Sequence, residues 1–214
     1  MTPPDAPLSR RGPLLLILFA ALMAGTGNGI SIVVFPWLVL QRTGSALDAS
    51  IVAMAGTLPL LAATLIAGAA VDYLGRRRVS MISDTLSALS VVAVPVLALM
   101  FGADVVNVAV LAVLAALGAL FDPAGMTARE TMLPEAAARA GWSLDRANSY
   151  FEAVFNLAYI VGPGIGGLLI ATLGGINTMW VTAGTFVLSI AAISVLRLEG
   201  AGIPDRSAEN GEEE

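Results

Sequence analysis

The sequence predicts an all-α membrane protein of six transmembrane helices, and three observations predict it. The 214 residues are 57% hydrophobic with a mean hydropathy of +0.84, well above a soluble domain. Six apolar runs are each long enough to cross a bilayer, which takes roughly 17 to 25 helical residues. Arginine is distributed one-sidedly. With six crossings, Arg10, Arg11, Arg76, Arg77, Arg78, Arg129, Arg139, Arg146, Arg197 and Arg206 fall on one side and Arg42 alone on the other. Cytoplasmic loops retain arginine, so both ends of the chain are expected inside.

Charge and composition exclude several functions. All eleven basic residues are Arg, and the formal charge is −5. From Glu199 onward there are six acids and one Arg; the remaining residues carry ten of each sign. The acidity belongs to a tail and gives no footing for a nucleic-acid partner. Cys and His are both absent, so a disulfide, a thiol nucleophile, a histidine base and a Cys/His zinc cluster are excluded. No metal or cofactor is expected. With no paired carboxylates at mid-depth for acid–base work, an enzyme is not expected either.

The elements follow in order. Residues 1–13 are polar and Pro-rich, a cytoplasmic segment ending in the arginine pair that anchors the first helix. The apolar run that follows is too long for the core of an export signal. Helix one is Leu14 to Leu40, with Gly25, Gly27 and Gly29 around Asn28, a pattern that admits a bend or close packing. Trp37 belongs to the interfacial belt. A polar loop with the turn Thr43-Gly44-Ser45 leads to helix two, Ala49 to Val71, in which Pro59 predicts a kink. Helix three is Val79 to Met100, and a tight outer turn at Phe101-Gly102-Ala103-Asp104 leads to helix four, Val105 to Phe121. Asp122 to Ser149 reads as an amphipathic inner loop with a short helix over Glu135 to Ala140. Helix five is Tyr150 to Leu173 and helix six Ile176 to Leu196. The bundle thus occupies residues 14–196, and 197–214 form an acidic cytoplasmic tail whose composition predicts disorder.

The densest charge among the first 120 residues lies between helices two and three, in Gly68-x-x-x-Asp72-x-x-Gly75-Arg76-Arg77-Arg78. Gly68 would let a neighbouring helix approach closely. Asp72 falls at a helix end, and Gly75 suits the reversal because glycine enters φ > 0 without cost. This stretch resembles the signature loop between helices two and three of the major facilitator superfamily of transporters. Tyr73 stands where that family usually has a basic residue. The resemblance implies that the acid and the arginines form a charge network, a latch between two bundles that is remade during transport.

A fainter copy, Gly167-x-x-x-Ala171-x-x-Gly174, lies 99 residues later. It keeps the glycines and drops the charges on the opposite side of the membrane, as an inverted repeat of three helices should.

Helix five contains Gly162-Pro163-Gly164-Ile165-Gly166-Gly167. Pro163 removes a backbone hydrogen bond, and glycines bare the backbone around it. Such a defect persists in lipid only where protein covers it, which predicts a tight contact and a pivot at Gly162, Pro163, Gly166 and Gly167. The core of the pattern resembles the G-P-x-x-G-G signature of drug–proton antiporters in the same superfamily. Phe121-Asp122-Pro123-Ala124, Ala128-Arg129-Glu130, Leu133-Pro134-Glu135 and Leu144-Asp145-Arg146-Ala147-Asn148-Ser149 are similar to bacterial efflux members. These resemblances imply one half of a major facilitator fold in a bacterial cytoplasmic membrane, and alternating-access export of a small molecule driven by protons. The family normally has twelve crossings in two bundles. The second six-helix bundle, another copy or a separate chain, is therefore expected as a partner, alongside lipid and the small-molecule substrate. The other expectation is a split or truncated half without transport of its own.

Polar residues inside a membrane are costly and default to functional candidates. Asn28 lies at the centre of helix one. Asn156 shares a helical face with Glu152 and Asn148, and Asp84 lies inside the cytoplasmic end of helix three. These four, Asn28, Asn156, Glu152 and Asp84, are the candidate cavity groups. The competing structural reading pairs Asp84 and Glu152 with Arg78 or Arg129, and makes the asparagines interhelical hydrogen-bond links. No acid falls at mid-depth of any predicted helix, so no proton carrier is visible.

Overall fold

Seven α-helices and one 3-10 turn make up the described residues, 11–198, of the computed structural model. Six of the helices are long and apolar enough to cross a membrane. The order is α1 (Gly12–Thr43), α2 (Ala46–Leu74), α3 (Arg76–Phe101), the turn Ala103–Val105, α4 (Val108–Glu130), α5 (Leu133–Ala140), α6 (Leu144–Leu173) and α7 (Gly175–Val195). Residues 1–10 and 199–214 lie outside the described range, and with them most of the acidic tail for which disorder is expected.

The helices start where the sequence can cap them. Ser45, Asn107 and Ser143 each accept a hydrogen bond from a backbone N–H three residues on, at 3.2, 3.1 and 3.4 Å. Such caps satisfy amides that a helix leaves open. Proline lies inside five of the helices, at Pro36, Pro59, Pro95, Pro123 and Pro163, and each helix continues through it.

That continuity corrects the expectation of a loop over Asp122–Ser149. Only Thr131, Met132 and Gly141 to Ser143 are outside α4, α5 and α6. Pro123 does not break α4. In a packed membrane bundle neighbouring helices and side chains re-satisfy the freed backbone, so the helix runs on to Glu130. At its other end α4 begins three residues later than expected, because the 3-10 turn uses Ala103–Val105. The short helix α5 has Leu133, Ala136, Ala137 and Ala140 buried on one face and Glu135 and Arg139 paired at 2.9 Å on the other.

Two junctions share one geometry. Gly75 has φ 85, ψ 143 and donates its N–H to Val71 O at 2.9 Å. Gly174 has φ 80, ψ 157 and donates to Ile170 O at 3.0 Å. The next helix starts at once in both cases, with Val79 and Thr178 bonding back to the glycine carbonyls at 3.1 Å. A side chain at either glycine would meet the left-handed penalty. The two three-helix sets therefore match in backbone at the positions where their glycines match in sequence.

Packing is by small residues. α1 packs on α6 and α7, α2 on α4, and α3 on α4 and α7. Gly25 and Gly29 of α1 face α6, and Gly27 faces Thr185 and Phe186 of α7. Lipid supplies no hydrophobic drive between helices, so close backbone approach has to supply the attraction. Gly68 does not take part. Nothing lies within 4 Å of a Cβ built there; Ala63, Ala67 and Val71 form the buried side of α2 instead.

One end of the bundle gathers the arginines. There the start of α1, α5, the start of α6 and the end of α7 share a buried cluster around Leu14, Ile17, Leu133, Phe151 and Ile193. Arg42 lies in the last turn of α1, at the opposite end.

Candidate functional site

A cavity of about 300 Å³ opens inside the bundle. α1 contributes Asn28, Ser31 and Phe35; α2 contributes Val52, Gly56 and Thr57; α3, α4, α6 and α7 contribute Ser87, Asp122, Tyr159 and Phe186. Most of the wall is apolar or aromatic, with a few polar groups set into it. That is the usual build of a small-molecule site, where the apolar wall holds the ligand and the polar groups orient it.

Asp122 is the one acid among the described residues lining this cavity. Its Oδ1 accepts a hydrogen bond from Ser87 Oγ at 2.9 Å. By helix rise it lies about 21 Å along α4 from Val108, within a helix long and apolar enough to cross a membrane. This corrects the expectation that Asp122 opens an inner loop: it lies inside α4. The error came from ending helix four at Phe121. One signal was present: Gly118, Asp122, Gly125 and Arg129 recur every three or four residues, and so do Ser80, Ser83, Ser87 and Ser90. That is one helical face meeting another. All four serines are buried. Ser83 donates to Phe121 O at 2.8 Å, and a Cβ on Gly118 would come 2.6 Å from Ser90 Oγ.

Asp84 is not in the cavity. It is 2% exposed and ion-paired with Arg129, itself 4% exposed. Ser189 of α7 places its hydroxyl 2.6 Å from Asp84 Oδ2. Three helices are joined at this point. Asn28 does line the cavity. Asn156 and Glu152 do not; both are exposed on α6 and make no hydrogen bond or ion pair to another described residue. Glu152 therefore has no arginine partner there. With Asn148 they form a polar strip on the outside of the bundle, one turn before Tyr159 at the cavity wall.

The arginine loop is tied down within this bundle. Arg76 donates to Thr131 O at 2.7 Å and lies 3.7 Å from Glu135. Arg77 donates to Ile193 O at 3.1 Å and also to Ser194 O. Asp72 and Arg78 are exposed, and Asp72 makes no hydrogen bond or ion pair to another described residue.

On α6 the glycines divide. A Cβ on Gly162 would come 2.8 Å from Gly29 Cα, and one on Gly166 3.3 Å from Ile30 Cα. Pro163 lies against Gly29 in the same crossing. Gly164 and Gly167 have open space around them. Gly167 is thus not part of the contact expected of it, since it falls on a different face of the helix from Gly162 and Gly166.

Residues 17–213 match the pattern of the Major Facilitator Superfamily. The chain is 86% identical over 199 residues to the multidrug efflux pump Tap of Mycolicibacterium fortuitum, covering 93% of this chain and 49% of that protein. It is 68% identical over 200 residues to the multidrug efflux pump Tap of Mycobacterium tuberculosis, covering 94% and 48%. At 26% over 194 residues it is similar to the uncharacterized MFS-type transporter YfiS of Bacillus subtilis, covering 90% and 44%. The chain spans about half the length of the curated relatives it matches. With six candidate spans, the same glycine turn recurring at Gly75 and Gly174 within the two helix triplets, and a family match along nearly its whole length, the chain belongs to the major facilitator superfamily of membrane transporters and is not an enzyme.

Proposed function

We propose that this chain is one six-helix half of a small-molecule efflux transporter, working by alternating access with proton antiport in a bacterial cytoplasmic membrane. The observation that carries the reading is the cavity, whose apolar and aromatic wall encloses Asn28 and Asp122 at depth. The 86% identity to a multidrug efflux pump supports drug-like cargo and export. The arginine-rich end is the cytoplasmic one, by the retention of arginine inside, and Asp72 with Arg76 to Arg78 forms the latch at that end. Gly162, Pro163 and Gly166 serve as the pivot between α1 and α6.

The reading requires a second bundle, a second copy or a separate chain. α2 and α6 both contribute to the cavity wall and are the least buried of the six spans, so each has surface left for a partner. The free carboxylate of Asp72 suits a partner across the same seam. The share of the relatives covered, about half, is compatible with a second reading: a split or truncated half-transporter without transport of its own, acting as an assembly subunit or an inert fragment.

Dye efflux from proteoliposomes tests both. At one chain per vesicle no efflux is expected. Co-reconstitution with the remaining half of the M. fortuitum relative should give efflux that an imposed proton gradient accelerates. Efflux by single chains would overturn the need for a second bundle. No efflux in any assembly would overturn the transporter reading for this chain.

A further inference from the structure

We propose that Arg146, held against two aromatic rings at the start of α6, docks the phosphate of an anionic phospholipid whose acyl chain lies along the apolar stripe of the same helix. The inference goes beyond the efflux reading and does not depend on it.

Three side chains make the headgroup end. Arg146 Cζ lies 4.1 Å from the centre of the Trp142 ring and 5.8 Å from that of Tyr150. The two ring centres are 5.1 Å apart, and the rings are tilted at 53°. Trp142 also packs against the buried cluster around Leu14 and Phe151, so the platform beside the guanidinium is fixed to the bundle. Ring faces attract a cation without using its N–H donors. Arg76, Arg77, Arg129 and Arg139 spend theirs on carbonyls or carboxylates of the bundle. The guanidinium of Arg146 makes no hydrogen bond or ion pair to another described residue. Asp145, the acid beside it in sequence, is turned about 100° round the helix. An exposed guanidinium with uncommitted donors suits phosphate oxygens, which it grips in a planar fork.

The stripe supplies the second half of the argument. From Arg146 the exposed residues Tyr150, Leu157, Val161 and Leu168 recur on one helical face. Asn148, Glu152 and Asn156 lie on another face, so the two exposed sides of α6 differ in chemistry. α6 is long and apolar enough to cross a membrane, and Arg146 lies in its first turn. A cation and two amphipathic rings thus stand at the end of a span, where headgroups meet hydrocarbon. A dissolved phosphate ester would use the arginine alone; a phospholipid uses the arginine and the stripe together. A choline headgroup carries its own positive charge beside the phosphate, so a net anionic lipid is favoured.

Trp142 reports on the site. Trp37→Phe and Trp180→Phe leave it as the single tryptophan of the full chain. The chain is reconstituted in phosphatidylcholine vesicles containing equal amounts of either phosphatidylglycerol or phosphatidylcholine brominated near the glycerol end of its acyl chains. Bromine quenches a tryptophan it touches. Phosphatidylglycerol should quench with an apparent affinity about fivefold higher, and salt should reduce the difference. Arg146→Gln should bring the two lipids level. Arg146→Lys should keep most of the difference, which separates charge from packing. Arg78→Gln, exposed at the start of α3, should leave it unchanged. Equal quenching by both lipids in the chain with Arg146, or a preference that survives Arg146→Gln, overturns the site. A preference lost equally in the Arg78 variant overturns it too, because the cause is then the charge of that whole end. Glycerol phosphate in the water should not relieve the quenching; if it does, the site takes a free phosphate ester and the lipid assignment falls. The efflux reading stands in every case.

Discussion

Asp84 and Arg129 are the residues whose pairing most constrains the bundle. The pair is buried where α3, α4 and α7 meet, with Ser189 against it. Removing one partner strands a charge, which costs about 3–5 kcal/mol, whereas removing both leaves an apolar contact of little net cost. Arg129→Met should therefore lower the thermal unfolding temperature in mild detergent sharply, and Asp84→Leu added to it should recover most of the loss. A double variant no more stable than the single one would contradict the pairing. In sequence Asp84 stood out as an intramembrane acid, yet its partner did not. Arg78 and Arg129 were both available, and only the continuation of α4 past Pro123 carries Arg129 to the right depth. The same continuation hid Asp122. A proline beside an acid after an apolar run reads as a helix end, and only the neighbour that covers it shows otherwise.

At the scale of elements, the α1–α6 crossing depends on close backbone approach, tightest where Gly162 meets Gly29. A side chain on Gly162 would strike the backbone of Gly29, which cannot rotate away. Gly162→Leu should destabilise by about 1–3 kcal/mol or more through overpacking. Gly164→Ala and Gly167→Ala should be close to neutral for the bundle alone, since open space surrounds both. Chemical or thermal unfolding of the three variants in one detergent checks the contrast, and three equal losses would contradict it. The existence and order of the spans could be read from hydropathy, because a bilayer demands a long apolar run for each. The repeat could be read from Gly75 and Gly174, because the turn demands glycine at both. Which glycines of the Gly162–Gly167 run touch a neighbour could not be read. Face assignment needs the rotation of each helix, and four glycines within six residues give too little asymmetry from which to infer it.

For the whole molecule, burial is uneven: α2 and α6 are the least buried of the six spans. α2 buries only Val52, Ala63, Ala67 and Val71, and α6 little more than its contact with α1. Lipid can cover the apolar part of these faces, but Glu152 and Asn156 are poor neighbours for hydrocarbon. A second bundle across α2 and α6 would cover them and close the cavity. Asp72→Asn should leave the chain alone within about 0.5 kcal/mol of its original stability, as an exposed substitution does. In an assembled transporter it should slow dye export by loosening the latch. Export at an unchanged rate would remove Asp72 from that role. That the chain spans about half the length of its relatives could be anticipated from the count of spans set against the resemblance; which faces stay exposed could not, because exposure on α2 and α6 emerges only from packing. The most direct measurement uses the absence of native cysteine. A single cysteine at Asn156, with Leu99→Cys as a control on α3, is labelled with N-ethylmaleimide in nanodiscs before and after assembly with a second bundle. Labelling at position 156 should fall steeply on assembly while position 99 is unaffected. Equal labelling at position 156 in both states would contradict the claim that α6 faces the missing wall.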